Sequence, residues 1–449
     1  MSPRILLINP PIYDFSAYDF WMKPYGLLRV GGLLRGQADL KLFDYMDRLS
    51  PLAPGSSPQP LSPQGRGERK YRHDEWGRGE FHSEIIPSPS VFAGIRRRYR
   101  RFGVRSDAFL EFVSAEGPFD IALIQTGMTY WYPGVQEVVA DLRRIAPQTR
   151  IVLGGVYATL CPQHARGLGA DLVVAGTDLT PLWRFLRLAP RQDGLPLWDL
   201  YPRLTSGVLK LTDGCPFKCT YCSVPQVYQG FAARPLRQVL AEYDFLCRRG
   251  AANIAFYDDA LLYQPERVLE PFLREVLKRG ARVSFHTPNA LNARFVSKEL
   301  ARLMITAGFR IIYLGFESSA SGWQEQTGAK VSEQDLARAV EHLTAAGANA
   351  KHLNAYLMLG HPRCGEQQLE ASMRFASGLG LRLMLAEFSP LPGTPDGELC
   401  RQWVDLDEPL CHNKTAFAIR RLGEAEVNRS KNLCRELNEG KTVRATAPH

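Results

Sequence analysis

The sequence predicts an α/β protein: a doubly wound parallel-sheet domain, then a partial (β/α)6 TIM-like barrel, then a small helical tail. Three observations carry this. Short, unalternated apolar runs recur along residues 4–178 and again along 207–395, and such runs suit parallel strands buried on both faces. Stretches with helical spacing lie between them. The two series are divided by residues 181–206, which hold several prolines and read as a linker.

In the first series the runs begin at Arg4, Asp39, Asp120, Arg150 and Asp171, and helical spacing covers 25–37 and 134–144. Residues 1–180 are therefore expected to form one α/β domain. Residues 50–69 interrupt it with Pro, Ser and Gly and few side chains large enough to pack. Such a stretch cannot offset its ordering entropy. Residues 48–106 hold twelve Lys or Arg against five Asp or Glu. The whole of 48–106 is expected to be a disordered basic insertion, with the arginines of 95–102 in a basic helix or in more of the loop. The net charge of +9 belongs mostly to this segment, so it says little about a substrate, and a nucleic-acid partner is not expected.

The second series has six strand candidates, beginning at Gly207, Asn253, Arg282, Arg310, Lys351 and Arg382. Helical stretches cover 235–249, 265–279, 297–307, 332–346 and 366–378. Six βα units predict a parallel barrel or part of one over 207–395. Asp258, His286, Asn289, Glu317, His361 and Ser389 follow or end these strands, the end that carries chemistry in parallel barrels. The tail, 396–449, has a charged helical pattern at 424–438.

No apolar run approaches the ~20 residues that span a bilayer, and the N-terminus lacks a small-residue cleavage site. A cytoplasmic location without membrane association is expected. Nine cysteines in 449 residues are too few and too scattered for a disulfide framework. Six stand singly and read as buried thiols. Cys215, Cys219 and Cys222 cluster as Cys-x3-Cys-x2-Cys, directly after the first barrel strand. Thiolates suit iron–sulfur clusters and zinc. A closed structural zinc site has four ligands, whereas the next Cys is 247 and the next His is 286. A 4Fe–4S cluster on three cysteines leaves one iron open.

This spacing, with the aromatic Tyr221 inside it, resembles the signature of radical S-adenosylmethionine enzymes. The resemblance implies that S-adenosylmethionine chelates the open iron and that an electron donor such as flavodoxin or ferredoxin reduces the cluster. A 5′-deoxyadenosyl radical then abstracts hydrogen from a substrate, the cofactors carrying the chemistry and the protein positioning them. It also implies candidates for S-adenosylmethionine contacts. Glu317 would face the ribose or the methionyl ammonium. Asp258, beside Asp259, would face the methionyl amino group or cap a helix. His286 and Asn289 would face cofactor or substrate. Gly360, in Gly360-His361-Pro362, would approach the adenine or only make a turn.

The first domain carries Asn9-Pro10-Pro11 at the end of its first strand, then an aromatic-rich loop. It also carries Gly154-Gly155 at the fourth strand and Gly176 at the fifth. Together these resemble the flavodoxin-like cobalamin-binding domain fused to a large subgroup of radical S-adenosylmethionine enzymes. Open α/β sheets bind ligands across the carboxyl ends of their strands. The resemblance places cobalamin against Pro10, Pro11, Thr126, Gly154, Gly155 and Gly176. The Asp-x-His-x-x-Gly ligand motif is absent and no His precedes residue 73. Cobalt is therefore expected without a His below it, with Trp21, Tyr25 or another loop residue in that space; a domain that binds no cobalamin is the alternative. The implied activity is methylation of an unactivated centre of a small-molecule substrate. A rearrangement, cyclisation or oxidation without methyl transfer is one alternative, and a non-catalytic corrinoid or iron–sulfur binding protein another. Methylthio transfer to RNA is disfavoured, because the first domain lacks three cysteines for a second cluster.

Overall fold

The computed structural model describes residues 2–52, 74–280, 283–328 and 330–440. The first domain holds a five-stranded parallel sheet of β1 (Arg4–Asn9), β2 (Asp39–Asp44), β3 (Ile121–Thr126), β4 (Arg150–Gly155) and β5 (Leu172–Val174). Their order is 2-1-3-4-5, the flavodoxin-like arrangement whose switch point lies between β1 and β3. Helices α1 (Tyr25–Leu34), α2 (Ser106–Glu116) and α3 (Tyr132–Ile145) belong to this domain. The strands are apolar on both faces: Ile5 and Leu7 pack into one core, Leu6 and Ile8 into another.

The second domain has six parallel strands in sequence order: β6 (Ser206–Leu209), β7 (Asn253–Phe256), β8 (Ser284–Asn292), β9 (Phe309–Glu317), β10 (Leu353–Leu359) and β11 (Arg382–Glu387). Between successive strands lie α4 (Leu236–Arg248), α5 (Leu269–Arg279), α6 (Lys298–Ala307), α7 (Glu333–Ala345) and α8 (Glu366–Gly378). Among the paired strands β6 and β11 are not joined to each other, so the barrel is partial. The tail adds α9 (Lys414–Leu422) and α10 (Glu424–Asn438), and α10 packs on α8 and β11.

The expectation of a wholly disordered 48–106 is corrected. Residues 53–73 lie outside the described residues, but 74–106 are folded. Arg100–Phe102 pairs with Ile12–Asp14 and with Ser83–Ile85. Arg101 is buried and binds Glu137 with two hydrogen bonds, 2.8 and 2.6 Å long. A charge taken out of water in this way needs such a bidentate partner. The arginines that read as a solvated run thus include one that anchors a strand to α3.

The linker is also built in. Trp198 and Tyr201 are buried, and the Tyr201 hydroxyl donates to Asp44 at 2.6 Å. Glu242 on α4 is fully buried and accepts hydrogen bonds from Tyr25 at 3.0 Å, Trp198 at 3.3 Å and Arg234 at 3.1 Å. One carboxylate thereby ties first domain, linker and barrel together.

The aromatic loop after β1 enters the barrel. Trp21 is 1% exposed and packs with Ala255, Ile311 and Tyr313, against Tyr257, Tyr356 and Met384. These residues come from alternate positions of β9 and from β7, β10 and β11 or their ends, so they form the inner face of the sheet. Trp21 stacks on His286 at 4.0 Å and 15°, and its indole N–H donates to the Trp76 carbonyl at 2.7 Å. Trp21 has φ 61°, a left-handed conformation that a bulky residue adopts only where packing enforces it. Trp21→Ala is expected to destabilise the protein by about 3–5 kcal/mol, read as a lower urea midpoint.

His286 does not end its strand. It is the third residue of β8, fully buried, with Nε2 2.8 Å from Asn253 Oδ1. Burial pulls its pKa from 6.5 down to about 3. The unfolded chain therefore takes up this proton first, and stability falls as pH drops from about 6.5 towards 3. His286→Phe, which keeps the stack, is expected to unfold with a shallower pH dependence in that window.

Candidate cofactor centre

The three clustered cysteines lie between β6 and the short helix Val224–Val227. All three are partly buried free thiols. Burial is the main cause of their raised pKa values, with Cys222 at about 11. Cys219 adds to the rise at both Cys215 and Cys222, and the Lys330 ammonium opposes the shift at all three. Among the described residues no three His, Cys, Asp or Glu side chains converge on a point as ligands of one metal ion would. Three thiols on one loop suit a cluster that takes each thiolate on a different iron.

Asp258 does not cap a helix. It is buried, and one carboxylate oxygen accepts from the backbone N–H of Leu211 at 2.8 Å and Thr212 at 2.6 Å, and from the Thr212 hydroxyl at 2.7 Å. It therefore pins the chain three residues before Cys215. Its other oxygen has no partner among the described residues, and burial raises its pKa to about 6. Asp259 pairs with Lys210 at 3.4 Å. Asn289 donates to the Asp258 carbonyl at 3.3 Å.

Glu317 ends β9, buried, with φ 64°. That left-handed backbone follows a register shift between Gly315 and Glu317. Its carboxylate binds Lys330 at 3.0 Å. Lys330 was not singled out from the sequence, and nothing local marks it; it follows the turn that ends Ser321–Thr327. Tyr221 stacks on Trp323 at 5.8 Å and 21°. Gly360 has φ 84°, and a Cβ there would meet Ala418 of α9 at 3.3 Å, so this glycine serves a close packing of the tail.

The carboxyl edge of the first sheet has two kinds of residue. Some are used for construction. The Thr126 hydroxyl accepts from the Ala158 N–H at 3.0 Å, and Gly155 (φ 120°) brings its Cα so near the Thr126 carbonyl that a Cβ would sit 2.3 Å from it. Pro10 and Pro11 are buried, and the Pro11 carbonyl packs where a side chain at position 134 would be. Others face open space. Nothing lies within 4 Å of a Cβ built at Gly176, and Gly154 meets only Val174, at 3.9 Å. Met128 is 50% and Val156 37% exposed on the same edge. Exposed apolar groups beside bare backbone suit a flat ligand such as a corrin. Trp21 and Tyr25 are committed elsewhere, to the barrel interior and to Glu242, and do not stand on this edge. Among the described residues the histidines near it are engaged: His164 binds the Tyr157 hydroxyl at 2.5 Å, and His412 binds Thr129 at 2.9 Å.

The two edges meet. The short helix Val156–Leu160, directly after Gly155, packs against Val224–Val227, directly after the cysteine loop. The tail closes the junction. Asn413 donates to Asp14 at 2.9 Å, Trp131 donates to the same carboxylate at 2.9 Å, and Tyr132 donates to Glu408 at 3.2 Å.

Residues 209–376 match the profile of the Radical SAM superfamily. An uncharacterised methyltransferase of Pyrococcus horikoshii is 25% identical over 229 residues, 50% of this chain and 45% of that protein. The ribosomal protein methylthiotransferase RimO of Moorella thermoacetica is 25% identical over 320 residues, 65% of this chain and 73% of that protein. The chain thus spans about half the length of the first relative. Among solved structures, the radical S-adenosylmethionine methyltransferase TsrM of Kitasatospora setae aligns with TM-score 0.62 at 16% identity, over 89% of this chain and 76% of that one. The cobalamin-dependent S-adenosylmethionine radical enzyme OxsB aligns with TM-score 0.57 at 13% identity, over 98% and 61%. The two-domain fold is that of these structures, and within it residues 209–376 are similar to the Radical SAM superfamily.

Proposed function

We propose that this protein is a cobalamin-dependent radical S-adenosylmethionine methyltransferase acting on an unactivated centre of a small molecule. The observation that carries the reading is the packing of the helix after Gly154-Gly155 against the helix after the cysteine loop, because methyl carrier and radical source must serve one substrate. The likeness in fold to TsrM and OxsB supports it. Cys215, Cys219 and Cys222 would hold a 4Fe–4S cluster with one iron open to S-adenosylmethionine, and the first sheet's carboxyl edge would hold cobalamin. Bound there, these groups supply one-electron chemistry and a transferable methyl group.

The chain's own share is placement and exclusion. Asp258 fixes the start of the cysteine loop. Glu317 and Lys330 set opposite charges beside it, suited to the ammonium and carboxylate of an amino acid. The tail hydrogen bonds to Asp14 and Thr129 keep solvent from the junction. A reduced flavodoxin or ferredoxin is the proposed electron donor. A second reading, radical chemistry without methyl transfer, uses the same residues. Product analysis separates the two.

Anaerobic reconstitution with iron and sulfide is expected to give broad absorption at about 400 nm and 5′-deoxyadenosine from S-adenosylmethionine after reduction. Cys219→Ala should lose both; a variant that keeps them overturns the cluster assignment. Hydroxocobalamin should be retained through desalting by the parent protein and lost from Met128→Trp, which adds bulk on the open edge. No retention by the parent would leave the first domain without cobalamin.

A further inference from the structure

Between Cys219 and Cys222 lie only Thr220 and Tyr221, and each is gripped by one end of the same buried chain of side chains. The Thr220 hydroxyl donates to Asp396 Oδ2, and the Asp396 backbone N–H returns a bond to the Thr220 carbonyl at 3.1 Å. Asp396 is fully buried although it lies 176 residues further along, at the start of the tail. Its carboxylate also accepts from His361 Nε2 at 3.0 Å and Arg363 Nε at 2.8 Å. His361 Nδ1 accepts from the Trp323 indole N–H at 2.9 Å and the Arg363 N–H at 3.2 Å. With Nδ1 an acceptor, the ring proton sits on Nε2 and points at Asp396. Trp323 then carries the stacked ring of Tyr221, which closes the circuit.

The geometry points to Asp396 as a positioning residue for the cluster. Together with Thr220, His361 and Trp323 it clamps the two-residue bridge between the second and third cysteines and fixes the directions of their thiols. This rests on the reading of the three cysteines as a cluster site. Residues 219–222 have no sheet ladder; besides the Cys222 N–H to the Cys219 carbonyl at 3.1 Å within the bridge, the Thr220 N–H reaches the Thr327 carbonyl at a long 3.3 Å. A buried carboxylate with three side-chain donors, one of them the Arg363 guanidinium, is held in a single orientation. Groups that orient metal ligands from behind set how firmly the metal is held, commonly by a factor of about 10 to 100.

The test compares parent protein, Thr220→Val, Thr220→Ser and Asp396→Asn after anaerobic reconstitution. Iron per chain and the rate of bleaching by an iron chelator are read beside circular dichroism. Thr220→Val and Asp396→Asn are expected to lose iron about tenfold faster, with Thr220→Ser restored to the parent rate because it keeps the hydroxyl. Thr220→Val removes one hydroxyl at a partly exposed position, so it tests the clamp even if Asp396→Asn fails to fold. A parent that takes up no cluster overturns the reading of the cysteines. A loaded parent with Thr220→Val bleaching at the parent rate, or Thr220→Ser as fast as Thr220→Val, overturns the clamp.

Discussion

A loop that must present three thiols cannot be part of a sheet, and it therefore lacks the ladder that holds most of this chain in place. The protein meets this constraint with two buried carboxylates. Asp258, after β7, takes up the two backbone N–H groups and the hydroxyl that precede Cys215. Asp396, at the start of the tail, takes up the hydroxyl between Cys219 and Cys222. An unmade hydrogen bond at a buried group costs about 1–3 kcal/mol, so each carboxylate makes one loop geometry preferred over its neighbours. The burial of these acids costs energy, and the donors arranged around them offset it. Barrel, turn and tail are all needed to supply these acids and their donors, which is why the cysteine loop depends on so much of the chain.

The second organising contact is the entry of the first domain into the barrel. Trp21, Phe20 and Trp76 occupy the inner face that β7, β9, β10 and β11 share. Arg78 extends the same plug, donating to the Tyr313 hydroxyl at 2.8 Å. With Glu242 and Asp14 binding across the same boundaries, the two domains and the tail are joined by buried polar groups as well as apolar surface. Such groups tolerate few alternative dockings, because a shift leaves donors or acceptors unpaired.

Much of this architecture was legible in the sequence, for reasons tied to particular elements. All eleven strands of the two parallel sheets announce themselves as apolar runs, since a strand covered on both faces has no polar side to disguise it. Helices such as Glu366–Gly378 and Glu424–Asn438 show their spacing directly. The cysteine motif was legible because its ligands are local. What failed was long-range or concealed. Asp396 is 35 residues from His361 and 176 from Thr220, and no periodicity links them. His286 read as a strand-end residue because β8 runs on for six residues past it, through a stretch with Pro288 and Asn289 that carries little strand propensity. Residues 74–106 read as solvated because charge was counted without pairing: Arg101 has Glu137, and Arg78 has Asp74 at 2.7 Å.

The Trp21 plug has a consequence for how such a protein can change over evolutionary time. The wall of the barrel chamber is not written in the barrel alone; part of it is donated by the loop that follows the first strand of the other domain. The two domains are thus not interchangeable cassettes. A first domain borrowed from a relative would bring its own plug and reshape the chamber, and a barrel transferred by itself would open a void where two indole rings had been. Chamber shape is a joint property of both domains, and it can be altered from either side of the boundary.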